Sequence, residues 1–276
     1  MLNEYIRAVA LGLLQALTEF LPISSSGHLV LAPRLLGESA SSLTFDVGLH
    51  VGTLAAVLVY FWRDWMRIAL ALIEDLPRRG LRIAAWSEAS RLGLWIVLAT
   101  LPAVLVGALF KSTIEEWFRS STSVALSLLF FSGVIWLTDR FGMQELDERD
   151  VTARRSLIIG AAQAIALIPG TSRSGITISA ARALGFDRTS AARFSFMLSA
   201  PAVAGAAVLT MGEAIAGGEV IAWGPLLVGA LVAALAGMLV IRALLRFIQT
   251  RSLNAFVWYR VVVAVAVLGA VAAGWI

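Results

Sequence analysis

The sequence predicts an all-α polytopic membrane protein built as two inverted-topology repeats, each a re-entrant helical hairpin followed by three transmembrane helices. Three observations carry that expectation. Of 276 residues, 59% are apolar and only 14% are charged, with a mean hydropathy of +0.85, whereas a soluble domain of this size would carry far more charge. Two apolar segments are interrupted midway by proline, serine and glycine. Each interrupted segment is followed by three unbroken ones, so the whole pattern is stated twice. The chain has no cysteine, which removes disulfides and thiolate-bound metals. The net charge of +4 rests largely on arginine and reports orientation and contact with anionic lipid, not nucleic-acid binding.

Taken in order, Tyr5–Leu21 and Ile23–Leu36 are apolar pieces separated by Pro22 and a serine run. Neither comfortably reaches the ~20 residues a span needs. Phe45–Trp62 is a span, with Trp62 and Trp65 at interface depth. Arg63–Leu76 reads as an amphipathic helix lying on the surface before Pro77. Leu92–Phe110, expected to kink at Pro102, and the slightly short Thr122–Leu137 complete the first half. Asp139–Arg155 is a charged linker with no apolar face. The second half opens with Ser156–Pro169 and Ile176–Gly185 around a glycine- and serine-rich break, then runs through Ala192–Met211, Trp223–Leu245 and Phe256–Ile276. The chain is thus one integral membrane domain, 1–276, with repeat one about 1–138, repeat two about 156–276 and a linker at 139–155.

The repeat is visible in the residues. A shift of 148 positions lays Gly12, Gln15, Ala16, Ser24, Ser26 and Gly27 on Gly160, Gln163, Ala164, Ser172, Ser174 and Gly175. Arginines crowd 63–91, 139–155, 182–193 and 246–251, whereas 37–44, 111–121 and 213–222 hold little positive charge. By the positive-inside rule the first group is cytoplasmic, as is the linker. Phe45–Trp62 then runs inward and Ala192–Met211 outward, so the first hairpin starts and ends outside and the second inside. Inverted copies of this kind bring broken helices together near the midplane, where irregular backbone must be buried or line a wet cavity.

The chemistry concentrates in the two breaks. Gln15-Ala-Leu-Thr-Glu19-Phe-Leu-Pro22-Ile-Ser24-Ser25-Ser26-Gly27-His28 sets a carboxylate, three hydroxyls and one of two histidines inside an apolar segment. Ionisable groups at membrane depth are costly and usually mark a site. Glu19 lies one turn after Gln15, Pro22 stops the helix, and Ser24 to Ser26 are N-cap candidates for the next. A helix start presents free N–H groups and a positive dipole end, which suits phosphate. His28, three residues after Ser25, could share its face. In the second break Arg173 is flanked by Thr171, Ser172, Ser174, Gly175 and Thr177, a set that favours phosphate coordination over an arginine snorkelling to a headgroup. Arg173 stands where the first repeat has Ser25, and Ile176 where it has His28, so neither half holds the full chemistry. The blander readings are a cleaved signal peptide, disfavoured by Gln15 and Glu19 within the apolar run, and an ordinary Ser-Ser-Ser-Gly turn. His50 reads equally as a site residue or an interfacial histidine.

These residues resemble the bacterial undecaprenyl-pyrophosphate phosphatases of the bacitracin-resistance type. Gln15-Ala-Leu-Thr-Glu19 fits that family's (E/Q)xxxE motif, Leu21 to His28 continue the match, and Pro169-Gly-Thr-Ser-Arg173-Ser-Gly-Ile-Thr177 fits PGxSRSxxT. The resemblance covers essentially the whole chain. It implies a multi-pass enzyme of the bacterial inner membrane that converts undecaprenyl diphosphate to the monophosphate carrier, with a divalent cation, Mg²⁺ or Ca²⁺. The topology argued above opens the site to the periplasm. Many members have glutamate where this chain has Gln15, which leaves one carboxylate fewer for a cation.

The catalytic set expected on this basis is Glu19, Ser25, His28 and Arg173. Ser24, Ser26, Gly27, Thr171, Ser172, Ser174, Gly175 and Thr177 are expected to hold phosphate, and Gln15 with Glu19 the cation. The nucleophile could be Ser25 with His28 as base, His28 itself, or water. A rival of another class is a transporter or flippase for a phosphorylated polyprenyl lipid, since inverted repeats with broken helices also build transporters. A non-catalytic lipid-binding scaffold is a third reading. Partners are the lipid substrate and membrane lipids, with no nucleic acid. Small-residue runs such as Gly229–Gly237 could pack helices within one chain or in a homodimer.

Overall fold

Proline and serine stop the first helix where the sequence places the break, and the chain there turns back on itself. The computed structural model describes residues 2–35, 42–118 and 120–275. Helix α1 (Leu2–Phe20) is followed by α2 (Ser25–Leu35), which packs back on it. In the second half α7 (Ala153–Ile165) and α8 (Arg173–Ala183) form the matching pair. An 11-residue helix such as α2 or α8 is only about 16 Å long and cannot cross a hydrocarbon core of about 30 Å. Six other helices are long and apolar enough to cross: α3 (Leu43–Tyr60), α5 (Glu88–Phe118), α6 (Ser121–Phe141), α9 (Arg188–Ala216), α10 (Trp223–Thr250) and α11 (Asn254–Ala272). Between α3 and α5 lies α4 (Trp62–Arg79), whose outward Met66, Leu70, Ile73 and Leu76 recur at helical spacing, as a surface-lying helix requires. The protein is an all-α polytopic membrane protein.

Packing follows small residues. α1 and α3 lie against α10, α7 against α5, and α6 against α11, with α3 and α9 in contact. A methyl group at Gly12 would stand 2.5 Å from the carbonyl oxygen of Gly229, and one at Gly160 would meet the carbonyl of Ala99. Two positions matched by the 148-residue shift therefore do the same work, letting one backbone approach another. Gly229 packs near Leu49 and Phe45, and Gly237 near Phe20 and Ala56, so the 229–237 run joins helices within the chain. The opposite face of α10 turns Leu227, Leu231, Leu235 and Leu239 outward, a leucine row that only lipid would solvate favourably. Phe20 and Phe196 meet edge to face in the central apolar cluster, at 5.4 Å and 83°.

Several boundaries differ from those expected. Segment 111–121 is not simply a loop, because α5 continues to Phe118. Pro102 lies inside α5. α9 begins at Arg188, where Asp187 caps it by accepting from Ser190 N–H, and α8 begins at Arg173. The greater part of the expected 37–44 loop, residues 37–41, lies outside the described residues.

The linker 139–155 is tied to α8 and α9 at several points. Asp139 lies in the last turn of α6 and is buried, with Arg188 donating from Nε at 2.6 Å and Nη2 at 3.2 Å and Leu253 N–H at 2.9 Å. Arg182, also buried, donates to the carbonyls of Met143, Phe186 and Gly142. Leu146 bridges to Phe186, and Arg193 joins Glu148 and Asp64. Some of the linker's charges thus join the ends of α6, α8, α9 and α11, while Arg140, Glu145, Asp147 and Arg149 stay exposed. These contacts place the arginine-rich regions at one end of the molecule. At the other end Thr44 donates to Glu219 at 2.6 Å, and Glu4 and Arg7 of α1 line a shallow cavity with Ser42, Phe45, Ala222 and Pro225.

Candidate active site

The two breaks share one local construction. Ser24 and Ser172 both occupy the left-handed region, at φ 78° and 76°, the only described non-glycine residues to do so. Each caps the following helix: Ser24 Oγ accepts from Gly27 N–H at 3.3 Å, and Ser172 Oγ from Gly175 N–H at 3.1 Å. Each also lies near a second hydroxyl, Ser26 at 3.4 Å and Ser174 at 3.2 Å. The tips touch: Ser174 Oγ donates to the carbonyl of Leu21 at 3.1 Å, and a methyl at Gly27 would lie 3.6 Å from Gly170 Cα.

Where they touch, the first residues of α2 and α8 meet the last turn of α1. Glu19, buried, receives Ser25 Oγ on Oε2 at 2.6 Å and Arg173 Nη2 on Oε1 at 2.9 Å. Gln15 Nε2 donates to the same Oε2 at 3.1 Å, and His50 Nε2 lies 3.5 Å away from it. His50, with its side chain 27% exposed, is fixed through Nδ1 to the Asp46 carbonyl at 2.8 Å. Two positive helix ends and a guanidinium therefore converge on one carboxylate. Such an arrangement can hold an anion against Arg173 while Glu19 accepts a proton from Ser25.

The expected pairing of Ser25 with His28 is not made. As the first residue of α2, Ser25 points back towards the end of α1 and finds Glu19. His28 instead sets Nδ1 2.7 Å from the Ser24 carbonyl and Nε2 2.8 Å from Tyr259 Oη, with its ring stacked on Tyr259 at 5.6 Å. Thr177 Oγ1 donates to the Arg173 carbonyl at 2.8 Å and lies 2.6 Å from Ser195 Oγ. The Ser195 carbonyl accepts from Arg173 Nη1 at 2.9 Å. Thr171 is buried, and its hydroxyl has no partner among the described residues.

Three residues of this neighbourhood went unremarked in the sequence: Ser195, Tyr259 and Arg260. Arg260 had a signal, being a cation in the middle of an apolar span. Tyr259 beside it shared that signal weakly, and Ser195 had none.

Whether a divalent cation fits is decided by oxygens. Among the described residues no three His, Asp or Glu side chains gather. Gln15 Oε1, however, is buried beside Glu19 with no partner among the described residues. A cation that takes its remaining ligands from water and a diphosphate fits that pair, as Mg²⁺ commonly does.

Fold and site together define an integral membrane protein whose interior polar groups converge where two broken helical hairpins cross. The chain matches the family described as "Bacitracin resistance protein BacA" over residues 8–266 and belongs to that family. It is 49% identical to a protein named undecaprenyl-diphosphatase from Geobacter sulfurreducens, over 96% of this chain and 97% of the relative. Proteins of the same name from Pelobacter propionicus and Alcanivorax borkumensis are 45% and 42% identical, the first over 98% of both chains and the second over 96% of this chain and 98% of its own length.

Proposed function

We propose that the protein hydrolyses undecaprenyl diphosphate to undecaprenyl phosphate and inorganic phosphate, returning the lipid carrier to cell-wall synthesis and countering bacitracin. The observation that carries the reading is the meeting of Ser25 and Arg173 on Glu19, from opposite hairpins. Ser25 Oγ attacks the terminal phosphorus as Glu19 takes its proton, and the bond to the bridging oxygen breaks to release the lipid monophosphate. Glu19 passes that proton to the departing monophosphate. Water then attacks the phosphorus of the phosphoserine, giving its proton to Glu19. The Ser25 Oγ–P bond breaks as Glu19 returns the proton to Ser25 and inorganic phosphate leaves. Arg173 turns its planar fork to the terminal phosphate and stabilises charge on the transferring group, aided by the N–H groups that open α2 and α8. Ser172 and Ser24 hold those helix starts in place, and Thr177 with Ser195 sets the arginine. His28 is spent on Ser24 and Tyr259, so it serves the shape of the first tip. Gln15 and Glu19 would hold Mg²⁺ or Ca²⁺, which when bound screens the diphosphate charge.

The halves are inverted copies in this reading, with the site open to the periplasm of a bacterial inner membrane. Support comes from α1, which starts at the end holding Thr44 and Glu219, and α7, which starts near Asp150 at the arginine-rich end. His50, the partly exposed member of the cluster, lies in the half of α3 nearer the arginine-poor end. The Gly229–Gly237 run packs internally and lends a homodimer no support.

Phosphate release by purified protein in detergent tests the reaction, since no transport is possible there; its absence would favour the transporter reading. Orientation is tested by single cysteines, because the native chain has none. An impermeant thiol reagent on spheroplasts should label position 42 or 116 and spare 80 and 147, and the reverse pattern overturns the orientation.

A further inference from the structure

We infer that Arg260, on α11, is the positioning residue that holds the two hairpin tips in register, a role that rests on the site reading above. Arg260 is fully buried within an otherwise apolar span. One side of its guanidinium is tied to α6, Nε donating to Ser132 Oγ at 3.1 Å and Nη2 to the Leu128 carbonyl at 3.2 Å. Its remaining bonds go to the tips, Nη1 to the Pro22 carbonyl at 3.3 Å and Nη2 to the Gly170 carbonyl at 2.9 Å. Pro22 and Gly170 are the same position in the two repeats under the 148-residue shift, and each lies two residues before a left-handed serine. One rigid group thus grips the same carbonyl of each hairpin and refers both to α6.

None of its hydrogen-bond partners is a carboxylate. A guanidinium buried on neutral acceptors alone is costly, and an apolar residue at this depth would avoid that cost. What the arginine provides is geometry, because only a planar fork spans two carbonyls and a helix at fixed angles. A lysine ammonium would keep the charge and lose the span. Ser25 and Arg173 come from different tips, so their distance to one phosphorus depends on the register that Arg260 sets.

The test uses full-length Arg260→Lys, Arg260→Gln and Ser132→Ala in detergent, with undecaprenyl diphosphate as substrate and the folded fraction measured for each. For Arg260→Lys, kcat per folded molecule should fall at least about tenfold with KM within about threefold, because binding groups remain but are misaligned. Ser132→Ala should lower kcat about threefold or more, and should add nothing in the Arg260→Lys background, since both changes break one linkage. Parent-level kcat in folded Arg260→Lys or Arg260→Gln overturns the inference, as does a loss that only tracks the folded fraction. Should both Arg260 variants fail to fold, Ser132→Ala decides: parent-level kcat overturns the clamp, and a folded protein with reduced kcat and unchanged KM supports it. Arg173→Lys, run alongside, separates the premises. Loss there with parent-level Arg260 variants removes the clamp alone, whereas parent-level Arg173→Lys removes the site reading.

Discussion

Replacing Glu19 by glutamine separates the structural from the chemical share of the central carboxylate. Three donors aim at Glu19: Ser25 Oγ at 2.6 Å, Arg173 Nη2 at 2.9 Å and Gln15 Nε2 at 3.1 Å. A carboxylate satisfies all three, but an amide has one acceptor oxygen and must turn its NH₂ group towards at least one donor. Arg173 also loses its counter-charge. Breaking a buried ion pair costs about 3–5 kcal/mol, and the lower end applies because Arg173 keeps the Ser195 carbonyl. A loss of about 3 kcal/mol should therefore appear in thermal unfolding in detergent, beyond the cost of an isosteric surface change. Activity should fall further, by about 10²–10⁴-fold, as the proton acceptor of Ser25 disappears. Phosphate release and the response to added Mg²⁺ or Ca²⁺ are read on the same sample. Turnover within about fivefold of the parent would refute Glu19 as base, and an unchanged melting temperature would refute the energetic account of its pairing with Arg173. An unaltered metal response would remove Glu19 from the cation site.

Arg173→Lys should lose about 10²–10³-fold in kcat/KM, because an ammonium cannot contact phosphate bidentately while held by Ser195; near-normal turnover would remove Arg173 as the clamp. Ser25→Ala should abolish burst formation of a phosphorylated enzyme and leave the fold intact; full turnover would return the nucleophile to water or His28. At the α4–α5 corner, the Ser87 N–H at 2.7 Å and the Ser90 hydroxyl at 2.8 Å hold the Asp75 carboxyl down at about 2. A depressed acid contributes stability that is complete above its unfolded value of about 3.9 and is lost as pH falls towards the folded one. Asp75→Asn should accordingly flatten the acid limb of a stability–pH curve below pH ~4, and an unchanged limb would show that Asp75 carries none of it.

Much of this was legible in the residues, for a reason tied to the solvent. In lipid every polar group needs a cause, so Glu19, Arg173 and the serine runs stood out against an apolar background. The Gln15-to-Gly27 repeat likewise survived as two tips of one local geometry. Long-range direction was not legible. Spacing puts His28 on Ser25's face, but it cannot say that α11 brings Tyr259 to that imidazole, nor that Glu19 already waits at the end of α1. The charged linker is legible only in part for a related reason. A charge-rich run does not say which of its charges are buried, and only the packing of α8 and α9 shows Asp139, and Arg182 beside it, sealed inside.

That sealing changes what the arginine count means. Arg182, Arg188 and Arg193 were counted as loop charges, yet their guanidinium groups are committed to Asp139, Glu148, Asp64 and backbone carbonyls. They cannot act as free charges that set orientation by attraction to lipid. The same pairs, with the Leu253 N–H on Asp139, bring α4, α6, α9 and the start of α11 together at one face of the molecule. Arg63, Arg67, Arg78 and Arg79 lie on the amphipathic α4, beside that face. The strained serines complete the picture. Glycine would adopt the left-handed turn without the cost of roughly 1–2 kcal/mol that serine bears, yet both tips carry serine. Glycine has no side chain to cap the following helix, which each serine does through its hydroxyl, and those two helix starts carry Ser25 and Arg173 to Glu19.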